Sequence, residues 1–82
     1  MRHAVPSNPS PLASRIRAAR EAASLKPSDL ARLVGATSVS VWRWEFRNQV
    51  PGAEHLESIA KHTATSTSWL LHGDEQKPEA AA

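Results

Sequence analysis

A glycine set between two short apolar runs constrains this chain more than any other feature. Residues 30–45 read LARLVGATSVSVWRWE. Leu30, Ala31 and Val34 share one face of a helix that must stop at Gly35, and Val41 resumes the apolar pattern beyond it. Gly35 falls where the backbone reverses sharply, in a positive-φ conformation that glycine reaches without steric cost. Thr37 or Ser38 then opens the next helix, because a hydroxyl at that position answers its free N–H groups. The stretch therefore specifies two short helices meeting at a tight turn.

The flanking sequence adds three more helices. Ser10 caps a first helix with Pro11 at its first position, where the missing N–H costs nothing. Leu12, Ile16, Ala19 and Ala23 form its stripe, and it is expected to end near Ser24. Lys26-Pro27 restarts the chain into a second helix reaching about Val34, and the third spans about 38–46. Val50-Pro51-Gly52 reads as a loop. A fourth helix runs from Ala53 to about His62 with Leu56, Ile59 and Ala60 on one face. Ser66 caps a short fifth helix holding Trp69, Leu70 and Leu71, closed by Gly73. No strand pattern or repeat is present, so the expected fold is all-α, a compact five-helix domain over residues 11–73. Residues 1–10, with Pro6 and Pro9 among Ser and Asn, read as a disordered arm, and residues 74–82, DEQKPEAAA, as a flexible tail.

Composition narrows the function classes. At 82 residues the chain holds one domain. It has no cysteine, which excludes disulfides and thiolate metal sites and fits a reducing compartment. No apolar run approaches the ~20 residues that span a membrane, and the first eleven residues lack the apolar segment of a secretory signal. The expected location is cytoplasmic. The net charge is +2, but residues 12–62 carry eight Lys and Arg against five acids, while the tail carries Asp74, Glu75 and Glu79 against Lys77. A mildly basic body is compatible with nucleic acid. His3, His55, His62 and His72 have no metal-ligand spacing. There is no nucleophile–base pattern and no glycine-rich phosphate loop, so neither enzyme activity, a cofactor, a metal nor a small-molecule ligand is expected.

Five short helices with a helix-turn-helix as the second and third resemble the lambda-repressor/Cro-like family, the XRE type. The residues that carry the resemblance are Ile16-Arg17-Ala18-Ala19-Arg20-Glu21, Asp29-Leu30-Ala31, Leu33-Val34-Gly35, Val41, Trp44-Glu45, Pro51, Leu56, Ile59-Ala60 and Trp69-Leu70-Leu71-His72-Gly73. The resemblance implies a sequence-specific DNA-binding transcription regulator of phage, prophage or bacterial type, a Cro-like protein or small repressor on the nucleoid. It also implies weak dimerisation on a palindromic operator. The alternatives are the DNA-binding part of an antitoxin or larger repressor, and a protein-interaction module that reuses the fold.

Residue roles follow from the same resemblance. Arg20 and Glu45 stand where relatives form a partly buried ion pair. With Val41 and Trp44 facing the core, Ser38, Val39, Trp42 and Arg43 point outward, where relatives read base edges. Arg43 suits guanine, Val39 a thymine methyl, and Ser38 a base or phosphate. Trp42 has three open readings: along the sugar-phosphate wall, against a partner protein, or folded back over the second helix. Lys26, Ser28, Thr37, Arg47, Asn48 and Gln49 are the phosphate candidates. Three departures stand out. Pro27 replaces a frequent glutamine and removes a contact. Arg47 occupies the usual C-cap glycine position, unless Asn48 takes the left-handed conformation. Thr63-Ala64-Thr65 replaces a Leu-Gly-Val-like segment, so looser packing of helices four and five is expected.

Overall fold

Ser10 begins the fold as a cap: its hydroxyl accepts the Ala13 N–H at 3.0 Å, and Pro11 occupies the first helical turn. The computed structural model describes residues 10–73. Beyond Ser10, the expected arm and tail lie outside the described residues. Five helices follow in order: α1 (Pro11–Ala22), α2 (Pro27–Val34), α3 (Ser38–Phe46), α4 (Ala53–His62) and α5 (Thr67–His72). Thr37 caps α3 by accepting the Ser40 N–H at 3.1 Å, and Ser66 caps α5 by accepting the Trp69 N–H at 2.9 Å.

Three of the corners close in the same way. The N–H of Leu25, of Ala36 and of Thr65 each returns to the carbonyl five residues earlier, at 3.1, 2.9 and 2.9 Å. The residue before each is left-handed: Ser24 at φ 60°, Gly35 at φ 75° and Ala64 at φ 58°. Only the middle corner has glycine. There a Cβ would meet nothing within 4 Å, so Gly35 is required by its backbone angle and not by crowding. The reversal at Ser24 ends α1 at Ala22, slightly earlier than its apolar stripe suggests. At the end of α3, Arg47 keeps φ −115° and Asn48 takes φ 57°. Asparagine tolerates that region better than arginine does.

α1 packs on α3 and α5, α2 on α3 and α4, and α4 on α5. One core joins Ile16, Ala19, Leu30, Ala31, Val34, Val41, Trp44, Leu56, Ile59, Ala60, Trp69 and Leu70. In α1 the buried stripe is Ala13, Ile16, Ala19 and Arg20, while Leu12 and Ala23 are only partly covered. Leu71 is exposed, unlike its neighbours Trp69 and Leu70. The α4–α5 junction is tied and not loose. Thr63 is buried, donates its hydroxyl to the Ile59 carbonyl at 2.7 Å and meets the Thr65 hydroxyl at 3.1 Å. The departure from the family pattern shows instead as left-handed backbone at Ala64. Among the described residues, no helix is long and apolar enough to cross a membrane.

Candidate nucleic-acid interface

α3 is oriented by a charge buried on its inner side. Val41, Trp44 and Glu45 face the core, and Glu45 is 2% exposed. An isolated carboxylate there would be strongly disfavoured. Arg20, 8% exposed on α1, supplies the partner. Its Nε donates to Glu45 Oε2 at 2.7 Å and its Nη2 to Oε1 at 3.0 Å, a two-pronged contact. Its Nη1 donates to the Leu25 carbonyl at 2.8 Å, at the corner after α1. The Glu45 hydrogen bond is the main cause holding the Arg20 pKa above its ordinary value, against the opposing effect of burial. Two helices and a corner thus fix the rotation of α3. Trp44 adds a ring contact to His55 of α4, with centroids 5.3 Å apart.

That rotation turns Ser38, Val39, Trp42 and Arg43 to the exposed side. Trp42 is 46% exposed and does not fold back over α2. Its ring lies 6.4 Å from that of Phe46, and the Arg47 guanidinium sits 5.1 Å from the indole centroid. On the other side of Phe46, the Arg17 guanidinium of α1 sits 5.5 Å from the phenyl centroid. From the sequence, Phe46 is expected beside Trp42 only as a hydrophobic contact of an interaction module, and Arg17 is carried only by the family pattern, with no site role. The one-turn spacing of Trp42 and Phe46 signalled half of this arrangement, but the approach of Arg17 is tertiary.

The remaining candidates are distributed around α2 and α3. Arg47, Asn48 and Gln49 are exposed after α3. The Asn48 side-chain oxygen is engaged, accepting the Ser10 N–H at 2.8 Å. Thr37 spends its hydroxyl on the α3 cap and on Ser40 Oγ, 3.2 Å away. Lys26 and Ser28 are exposed at the start of α2. The Lys26 N–H donates to Asp29 Oδ2 at 2.9 Å, which places a carboxylate at that helix start and weakens its attraction for another anion. The same hydrogen bond is the main cause holding the Asp29 carboxyl below its ordinary pKa. Asp29 also pairs with Arg32 at 3.1 Å. Among the described residues, Arg43 and Arg47 form no ion pair. The one acid of α3 is Glu45, already neutralised inside, so the outer side of α3 carries uncompensated positive charge. No cluster able to hold a metal ion occurs among the described residues.

Residues 11–72 match the helix-turn-helix domain family. The chain belongs to that family, in its lambda-repressor/Cro-like, XRE-type form. It is similar to Repressor protein C2 of Salmonella phage P22, 32% identical over 63 residues that cover 77% of this chain and 29% of the relative. It is also similar to the HTH-type transcriptional regulator DicA of Escherichia coli K12, 32% identical over 66 residues that cover 80% of this chain and 49% of DicA. The chain therefore spans less than half the length of these curated relatives. The crystal structure of the P22 c2 repressor in complex with synthetic operator 9T superposes with a TM-score of 0.72, at 32% identity, covering 77% of this chain and 96% of that one.

Proposed function

We propose that this chain is the DNA-binding domain of a sequence-specific transcription regulator, either a small phage or prophage repressor or part of a longer bacterial one. The observation that carries the reading is the outer side of α3: exposed Ser38, Val39, Trp42 and Arg43 on a helix whose rotation is fixed from within. The relatives support it by name, being a phage repressor, solved on a synthetic operator, and a bacterial transcriptional regulator.

In this reading α3 lies in the major groove. Arg43 makes a bidentate contact to guanine, Val39 packs on a thymine methyl, and Ser38 reaches a base or phosphate. Arg47 and Gln49 after α3, and Lys26 and Ser28 at the start of α2, face the two phosphate walls, with Thr37 and Asn48 contributing what their internal bonds leave over. One helix reads too few base pairs for a genome-sized search. The operator is therefore a palindrome read by two copies about one helical turn, ~34 Å, apart. They meet weakly through α5 and the segment before it, residues 65–72. The protein works in the cytoplasm, on the nucleoid.

Selection of bound duplexes from a random pool tests the reading, and should return a palindrome. Titrating that palindrome should show cooperative filling of two half-sites. Separating the half-sites by about five base pairs, half a helical turn, should abolish the cooperativity. Equal affinity at both spacings would exclude the dimeric regulator.

One observation favours a second reading, a protein-interaction module: Val39, Trp42, Phe46 and Val50 are all exposed. Such a module would have no salt-sensitive affinity for DNA. An antitoxin DNA-binding domain predicts the same DNA results as a repressor and differs in the partner carried by the rest of the protein.

A further inference from the structure

Arg47 is unusual among the exposed cations because it already has a seat. Its guanidinium lies 5.1 Å from the centroid of Trp42, whose ring meets Phe46 at 6.4 Å, and Arg17 closes the far end 5.5 Å from Phe46. Four side chains thus alternate as cation, ring, ring, cation across α3 and α1. The two ends are not equivalent. Arg17 Nε donates to Glu21 at 3.0 Å, so its charge is compensated, whereas Arg47 has no carboxylate partner among the described residues. A ring attracts the flat, charged face of a guanidinium and leaves the in-plane N–H donors for another acceptor. An arginine frozen onto a ligand from many rotamers loses much of its conformational freedom on binding, and one held in place beforehand loses less.

We propose that Trp42 is a positioning residue for Arg47. Backed by Phe46, the indole holds the guanidinium at the end of α3 so that its donors clasp a phosphate of duplex DNA. This deepens the DNA-binding reading and rests on it. It also accounts for a half-exposed tryptophan on the reading side: the indole serves the phosphate wall and does not read a base.

The test measures affinity for two duplexes, one selected from the random pool and one scrambled, by fluorescence anisotropy at roughly 50–200 mM salt. Trp42→Ala should weaken binding to both duplexes about two- to five-fold, the equilibrium equivalent of an exposed cation–π contact. In an Arg47→Ala background the same change should do nothing further, and Trp42→Phe should restore most of the affinity. In the free protein, Arg47→Ala should shift the indole N–H resonance of Trp42. Losses that add, a loss confined to the selected duplex, or no loss on either would overturn the proposal. The last two would assign the indole to base reading or to a protein partner. A wild-type chain without salt-dependent affinity for either duplex overturns the DNA-binding reading itself. Wild-type affinity with additive losses overturns only the role of Trp42.

Discussion

The two sides of α3 are built on opposite rules. On the inner side, Val41, Trp44 and Glu45 are buried, and Glu45 is held by two hydrogen bonds from Arg20. On the outer side, Ser38, Val39, Trp42 and Arg43 are exposed, and the ring contacts of Trp42 go to residues just beyond it on the same surface. Folding energy is drawn from one side, where a substitution leaves a cavity or a stranded charge. The chemistry on the other side is set with little reference to the core. Stability and recognition are therefore expected to respond to different residues of the same nine-residue helix.

The sharpest break in that division should come from Glu45→Ala. It strands the Arg20 guanidinium inside the protein and should cost about 3 kcal/mol in urea unfolding. Replacing both residues with apolar ones, Arg20→Met with Glu45→Leu, should recover much of the loss, because no charge is then left unpaired. Additive effects below about 0.5 kcal/mol would show that the pair contributes nothing. On the outer side, Arg43→Ala should leave unfolding within about 0.5 kcal/mol of wild type. It should cost about 1–3 kcal/mol on the selected operator and little on scrambled DNA. Arg47→Ala should weaken both duplexes and flatten the salt dependence by about one unit of slope. Equal losses for Arg43→Ala on both duplexes would mean that α3 is turned differently in the groove.

Smaller effects probe the left-handed corners between helices. Ala64→Gly should stabilise the fold by up to about 1 kcal/mol by removing a Cβ from left-handed backbone, while Gly35→Ala should cost about the same. The smallest effect is one of pH. Hydrogen bonding from Lys26 N–H depresses the Asp29 carboxyl in the folded state. The resulting stabilisation is complete above the ordinary aspartate pKa near 4 and is lost as pH falls through the lower folded value. The difference in Tm between wild type and Asp29→Ala should therefore be constant near neutrality and shrink under acid conditions. A difference that grew on acidification would contradict this sign.

The helix plan was legible because its signals are local. Ser10-Pro11, Gly35, Thr37, Ser66 and Gly73 each act on backbone within a turn of themselves, and each marks an end in the structure. The Arg20–Glu45 pairing, 25 residues apart, was legible only through the family resemblance. Other features were not legible. Nothing local marks Ala64 as left-handed, since the core contacts of α4 and α5 impose an angle that alanine does not choose. Nor does the sequence seat Arg47 on Trp42, because the two are five residues apart and so are not stacked neighbours on a regular helix. The DNA contacts assigned to Ser38, Val39 and Arg43 rest on exposure and resemblance, because a helix surface alone does not name the bases it meets.

The hydrogen bond from Ser10 N–H to the Asn48 side chain spans 38 residues and joins the start of α1 to the corner after α3. Ser10 also holds the first turn of α1, through its hydroxyl to Ala13 and its carbonyl to the Ser14 N–H at 2.9 Å. A helix beginning normally frays by itself. Here fraying must release Asn48, and with it the segment that follows α3. Amide exchange at Ala13 and Ser14 should therefore keep pace with exchange at Gln49, and slow in both places when DNA holds Arg47.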